Sequence, residues 1–103
     1  MVLYKVTNKK KLSYKIAANN AEMAKDIAMK LGHARKRENL TVTDITVEML
    51  KSGRNLTSLV QALVGRPGIV VWTGLSPTVD AQGIIHNPDN PDFPRWEKKI
   101  VEI

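Results

Sequence analysis

Two clusters of basic residues are the side chains in this sequence best suited to chemistry with an anionic partner. Each cluster is a run of three consecutive cations: Lys9, Lys10 and Lys11, then Arg35, Lys36 and Arg37. Lysine and arginine neutralise the phosphates of nucleic acid, so these runs predict phosphate contacts. Each run also has an interpretation without a partner. Lysines at a hairpin tip keep a sheet edge from pairing with another chain, and cations after a helix neutralise the negative end of its dipole.

A second set of polar side chains lies in the proline-rich stretch of residues 74–95. His86, Asp89 and Asp92 follow one another at intervals of three residues, and imidazole and carboxylate groups are common metal ligands. Because prolines between them hold the backbone extended, we do not expect the three side chains to converge on one ion. Long irregular loops often carry function, so we interpret these residues as contacts of a loop that binds a protein partner.

Signals of enzyme chemistry are sparse. The chain has no cysteine, which excludes disulfides, thiolate zinc sites and cysteine nucleophiles. Neither a Walker A loop nor a Gly-x-Ser-x-Gly elbow occurs in the sequence. His33 has no second ligand at helical or strand spacing, so we interpret it as a surface residue rather than a metal ligand. We expect no catalytic residue and no cofactor, and an enzyme is the least favoured class.

Composition favours one soluble domain with an anionic partner. The chain has 103 residues, of which 43% are hydrophobic, and a formal net charge of +6. This length and composition suit one domain with its own core, and the basic balance favours nucleic acid. The longest apolar run, residues 69–72, is too short to span a membrane, and no signal peptide is recognisable. We therefore expect a cytoplasmic protein without membrane contact.

A β-hairpin and a helix are the elements that position the two basic clusters. Apolar residues alternate with others along residues 2–6 and 12–18, which predicts two strands, and Asn8 suits the turn between them. Ala24, Ile27, Ala28 and Leu31 form one helical stripe. Asn19 or Asn20 can cap the start of this helix, and Gly32 suits the position after its C-cap. The helix runs from the far end of the hairpin to the second cluster, so we expect both clusters on one side.

Later elements are predicted with one choice left open. Residues 40–47 are β-branched, but their alternation slips. A bulge near residues 43–44 explains the slip, and so does a strand that ends at Thr43 before a short helix capped by Asp44. A helical stripe follows at Leu56, Leu59, Val60, Leu63 and Val64. The pattern predicts a buried strand at residues 69–72 and further strands at residues 83–86 and 96–103.

These elements predict a single α+β domain over residues 1–103, in the order β-β-α-β-(α)-α-β-loop-β. We expect a mostly antiparallel sheet with the helices packed on one face, a compact core from residues 1–73, a loop over 74–95 and a C-terminal strand or short helix over 96–103. The run over residues 4–22 is similar in style to hairpin–helix openings in small bacterial and phage proteins. It covers the hairpin and the helix start.

Two functions follow from these observations. The first is a small non-enzymatic binding module that acts on a protein partner through residues 74–94 or a sheet edge. Exposed strand edges also favour self-association. The second is sequence-nonspecific binding of nucleic acid through the two basic clusters.

Overall fold

A computed structural model describes residues 1–51, 55–73, 78–79, 81–86 and 95–102 of the chain. Within these residues the α+β class is confirmed. The elements, in chain order, are β1 (Val2–Thr7), β2 (Ser13–Ala18), α1 (Ala21–Lys30), a 3-10 turn (Arg37–Asn39), β3 (Thr41–Asp44), α2 (Thr46–Lys51), α3 (Leu56–Ala62), β4 (Gly68–Trp72), β5 (Thr78–Val79), β6 (Ile85–His86) and β7 (Trp96–Ile100).

Five strands form one antiparallel sheet in the order β3-β1-β2-β4-β7. The predicted hairpin is β1 and β2, with Tyr4 opposite Ile16. The strand predicted at residues 69–72 is β4, which lies beside β2, and the C-terminal strand β7 pairs with β4 at the sheet edge. The strand predicted within residues 83–86 is β6, which pairs with β5 in a separate two-stranded sheet.

The helices cover both faces of the five-stranded sheet. Side chains alternate between faces along a strand, so Leu3 and Val6 of β1 lie on opposite faces. One core cluster joins Val6, Ile16 and Ala18 to the stripe of α1, and we call this side the α1 face. The other cluster joins residues of the opposite face to those in and before α2 and α3, and we call it the α3 face; its buried members are Leu3, Ala17, Ile45, Leu59, Ala62, Val70 and Trp96.

This layering corrects the expectation that the helices pack on one face. Strands β1 and β2 carry buried apolar side chains on both sides, as the fully buried Leu3 and Val6 show. An apolar face needs a cover, so each side of the sheet requires its own helical layer.

Helix α1 begins and ends at capping residues that were predicted from the sequence, Asn20 and Gly32. Asn20 is the N-cap, and its side-chain oxygen accepts a hydrogen bond of 2.8 Å from the backbone N–H of Met23. At the other end Gly32 has a φ of 72°, in the left-handed region. The backbone N–H of His33 donates to the carbonyl of Ala28 at 3.0 Å, which makes the end a Schellman motif and turns the chain sharply.

The choice left open after the third strand is resolved in favour of a short helix. Strand β3 ends at Asp44, and α2 starts at Thr46. The carboxylate of Asp44 accepts a hydrogen bond of 3.0 Å from the backbone N–H of Thr46, and this bond lowers the pKa of Asp44.

Among the described residues, no helix has both the length and the apolar character needed to cross a membrane.

Gly68 is placed where two strands approach closely, and it provides the first test of the fold. A Cβ at position 68 would lie well inside van der Waals contact of the backbone of Lys99. Because backbone atoms cannot move aside cheaply, Gly68→Ala should lower the free energy of unfolding by roughly 1–3 kcal/mol. Urea denaturation followed by circular dichroism measures it. The exposed edge-strand variant Thr43→Ala is the control and should change stability by about 0.5 kcal/mol or less; equal stability of the two variants would contradict the register of β4 and β7.

Candidate nucleic-acid interface

The loop of the β1–β2 hairpin has a tightly fixed backbone. The N–H of Lys11 donates to the carbonyl of Asn8 at 3.0 Å, and the N–H of Asn8 donates to the carbonyl of Leu12 at 2.9 Å. Lys11 has a φ of 68°, so the loop is a turn followed by a left-handed residue, a common three-residue hairpin connection. The side-chain oxygen of Asn8 also accepts from the N–H groups of Lys10 and Leu12, each at 3.0 Å. The backbone that carries Lys9 and Lys10 is therefore held at several points.

The segment that carries Arg35 is held at both of its ends. It leaves the Schellman turn of α1 and reaches the 3-10 turn at Arg37. The guanidinium of Arg37 donates to the carboxylate of Glu22 at 2.5 Å and to the carbonyl of Glu22 at 2.9 Å, and it also pairs with the carboxylate of Asp26. Arg37 thus fastens this segment to the first turns of α1.

His33 joins this segment to the hairpin. Its side chain is buried, with 8% of the residue exposed, so the expectation of a surface histidine is wrong. The ring N–H at Nε2 donates to the carbonyl of Val6 at 2.9 Å, and the ring stacks on Tyr14 with centroids 4.3 Å apart. The side-chain amide of Asn8 donates to the carbonyl of His33 at 2.9 Å. The Schellman turn explains the burial, because it folds His33 back onto the sheet.

A cleft of about 580 Å³ lies between the hairpin loop and the segment after α1. Three cations from the two sequence clusters line it, namely Lys9, Lys10 and Arg35. Asn8, Asn39 and the exposed Leu12 also line the cleft. The side-chain amide of Asn8 is engaged with the carbonyl of His33. Cations that line one cleft can bind the oxygens of a phosphate.

The remaining members of the basic clusters have different surroundings. Lys11 and Lys36 are exposed but do not line the cleft. Lys36 lies 4.0 Å from the carboxylate of Glu38, and both side chains are solvated, so this pair contributes little to stability. Arg37 is engaged with α1. In the described part of the chain, no carboxylate pairs with the side chains of Lys9, Lys10 or Arg35.

Only one of the three residues predicted to contact a protein partner lies within the described residues. His86 ends β6, where it pairs with Thr78, and Asp89 and Asp92 lie outside the described residues. Their role stays a prediction. Within the described ranges, no group of three or more histidine, cysteine, aspartate or glutamate residues could hold a metal ion.

Asn8, His33 and Asn39 are cleft residues that the sequence did not single out for binding. Asn8 was recognisable only as a turn residue, and its bond to His33 joins positions 25 residues apart. No family model matches the chain, and neither a curated protein nor a solved structure does.

The junction between Asn8 and His33 should contribute measurably to stability. Asn8→Ala removes three hydrogen bonds of a partly buried side chain, so we expect the free energy of unfolding to fall by about 1–3 kcal/mol. Asn8→Asp keeps the two bonds that the side-chain oxygen accepts but loses the one donated to His33, and it should have an intermediate effect. Urea denaturation measures both variants. An alanine variant as stable as the wild type would mean that this junction does not hold the two loops together.

The pair of Arg37 and Glu22 should make stability depend on acid. The guanidinium of Arg37, hydrogen-bonded to the carboxylate, lowers the pKa of Glu22 below its ordinary value of 4.5. Because the folded pKa is the lower one, the ionised pair stabilises the fold above pH 4.5, and this stabilisation is lost as the pH falls through the folded value. Glu22→Gln should therefore lose less thermal stability than the wild type on acidification from about pH 5 to about pH 3.

A charge-matched variant controls for the general effect of acid. Glu48 is exposed on α2, and the ion pairs of Arg37 are with Glu22 and Asp26 instead. Glu48→Gln should therefore keep the acid dependence of the wild type, measured as the midpoint of thermal unfolding. Identical acid dependence in the wild type and Glu22→Gln would show that the ion pair between Arg37 and Glu22 does not contribute to stability.

Proposed function

We propose that the protein is a small non-enzymatic binding module that binds nucleic acid through the cleft at the hairpin end. The observation that carries the proposal is the convergence of Lys9, Lys10 and Arg35 on one cleft, from parts of the chain about 25 residues apart. Contacts from cations to phosphates supply most of the affinity in sequence-independent binding of nucleic acid.

The electrostatics of the chain support the same function. The net charge of +6 steers anionic partners to the protein, and the cleft concentrates three of its cations. Phosphate contacts position a nucleic acid but do not read its sequence, so the proposed binding is nonspecific. A cytoplasmic location, as expected from the sequence, suits this role.

Replacing the three cleft cations tests the proposal. The variant Lys9→Gln/Lys10→Gln/Arg35→Gln should bind labelled RNA and DNA more weakly by roughly 10–100-fold, because about three phosphate contacts are lost. Fluorescence anisotropy across a salt series measures it. The wild-type affinity should fall steeply with salt, and the slope of log K against log salt should be smaller in the variant by about 2.

The matched control removes the same charge elsewhere. Lys25, Lys51 and Lys99 lie on α1, α2 and β7, and none of them lines the cleft. The variant Lys25→Gln/Lys51→Gln/Lys99→Gln should lose much less affinity than the cleft variant. Equal losses would show that only net charge matters, and absence of wild-type binding at low salt would refute a nucleic-acid function.

A protein partner is the second candidate function, and the helix α3 supports it. Leu59 of the predicted stripe is fully buried, whereas Leu56 and Val60 are 43% and 51% exposed. These two residues are four positions apart on α3 and lie on one face of it, and Val64, which follows the end of the helix, is 67% exposed. Exposed apolar side chains that lie together commonly contact other proteins. This candidate becomes the first choice if neither RNA nor DNA binds.

A further inference from the structure

The α3 face of the sheet carries a second cationic surface near the hairpin end. In the strand register, Thr43 of β3 is opposite Lys5 of β1, and Lys5 is opposite Lys15 of β2. Residues paired in this way lie on the same face, so the three side chains form a row across three strands. We call them the lysine row. A second row, nearer the hairpin loop, carries only hydroxyls, from Thr41, Thr7 and Ser13.

The carboxylates of the sheet are confined to one of its faces. Lys5, Lys15 and Lys98 share the α3 face, because Lys15 is opposite Val70 and Val70 is opposite Lys98. The carboxylates within the described strands, Asp44 and Glu97, are opposite Tyr4 and Val71 on the α1 face. Every charged side chain that these five strands place on the α3 face is therefore a lysine.

The arrangement of Lys5 and Lys15 works against stability. Like charges directly opposite each other on neighbouring strands repel, and a carboxylate in either position would remove the repulsion. Lys5 is exposed, and Lys15 is partly buried, with its ammonium 5.7 Å from the centroid of the Trp96 ring. Lys98, in contrast, is occupied by a hydrogen bond of 2.6 Å to the carbonyl of Val64. An anion placed over Lys5 and Lys15 would turn their repulsion into a shared attraction.

The lysine row and the cleft share the hairpin end but lie on opposite sides of the sheet. His33, at the cleft, stacks on Tyr14, and Tyr14 is opposite Val6 on the α1 face. Lys5 is on the α3 face, four residues before Lys9, which places the two surfaces about 13 Å apart along the strand. The hairpin loop with its lysines is the edge between them.

We infer that one single-stranded nucleic acid wraps around the hairpin end, with some phosphates in the cleft and others over the lysine row. This inference rests on the proposed function and adds its substrate class. A duplex has a persistence length of about 50 nm and cannot turn around the edge of one sheet, whereas a single strand can. The contacts are again to phosphates, from Lys5 and Lys15 with the hydroxyls of Thr43 and Ser13 beside them.

The test compares oligouridylates of about 4 and about 16 nucleotides with a duplex RNA of about 16 base pairs. The variant Lys5→Gln/Lys15→Gln should bind the long single strand roughly tenfold more weakly, with a salt slope smaller by about 1.4. Its affinity for the short oligonucleotide and for the duplex should be unchanged, because neither reaches both surfaces. The cleft variant should lose affinity for all three probes.

Thermal unfolding separates binding from stability. The variant removes the repulsion between Lys5 and Lys15 but also the contact of Lys15 with Trp96, so its unfolding midpoint should stay close to that of the wild type. A midpoint well above the assay temperature then excludes unfolding as the cause of weaker binding. Lys5→Gln alone changes only an exposed side chain, and it should reduce the salt slope by about half as much. The control variant Lys25→Gln/Lys99→Gln should bind the long strand as the wild type does.

The outcomes distinguish this inference from the proposed function. If the lysine-row variant binds the long strand as tightly as the wild type while the cleft variant does not, the wrapped path is wrong and the cleft proposal stands. If the duplex loses as much affinity as the long strand when the row is changed, the single-strand preference is wrong. If the wild type binds none of the probes, both proposals fail together.

Discussion

The docking of His33 onto the hairpin is the interaction on which the arrangement at this end of the molecule depends. The Schellman turn after α1 sends the chain back, and the imidazole then satisfies the carbonyl of Val6 and stacks on Tyr14. Buried backbone carbonyls must be hydrogen-bonded, so this contact has a structural value of its own. It also fixes the distance between two loops that the sequence separates. Without it, Arg35 and Lys9 would belong to independent loops.

Local patterns predicted most of the elements. The hairpin and α1 follow from alternation and from a stripe with an asparagine before it and a glycine after it, which are signals within a few residues. The two-sided covering of the sheet was not predictable in the same way. Alternation in β1 and β2 indicates one apolar face, which carries the larger set of apolar side chains. Leu3 lies on the opposite face, and it is buried because Leu59 and Trp96, from later elements, pack in the same cluster.

The sequence predicted the basic clusters and their common side, but not which of their cations line the cleft. The sequence alone does not distinguish the roles of Arg35 and Arg37, because both are arginines of the same basic run. They differ in the structure because the carboxylates of Glu22 and Asp26, spaced by one helical turn on α1, both reach Arg37 and neither pairs with Arg35. Such a distinction depends on a contact across 11 to 15 residues of chain. One run of cations therefore contains both a residue that forms structural ion pairs and a candidate ligand contact. Only the tertiary contacts distinguish the two.

Two shallow cationic surfaces on either side of a common edge have a thermodynamic consequence that neither has alone. When one flexible strand contacts both, the second contact forms at the high effective concentration set by the short linker around the hairpin, so the combined affinity exceeds that of either surface. This arrangement needs no deep pocket and no reading of bases. It does need the cations on both sides to lack competing carboxylates. The strands meet this condition on the α3 face because Asp44 and Glu97 lie on the other face. At the cleft, no carboxylate of the described residues pairs with the three cleft cations. Under the proposed wrapping, the repulsion between Lys5 and Lys15 is a cost in stability that a bound strand would offset, and natural sequences accept such costs at functional sites.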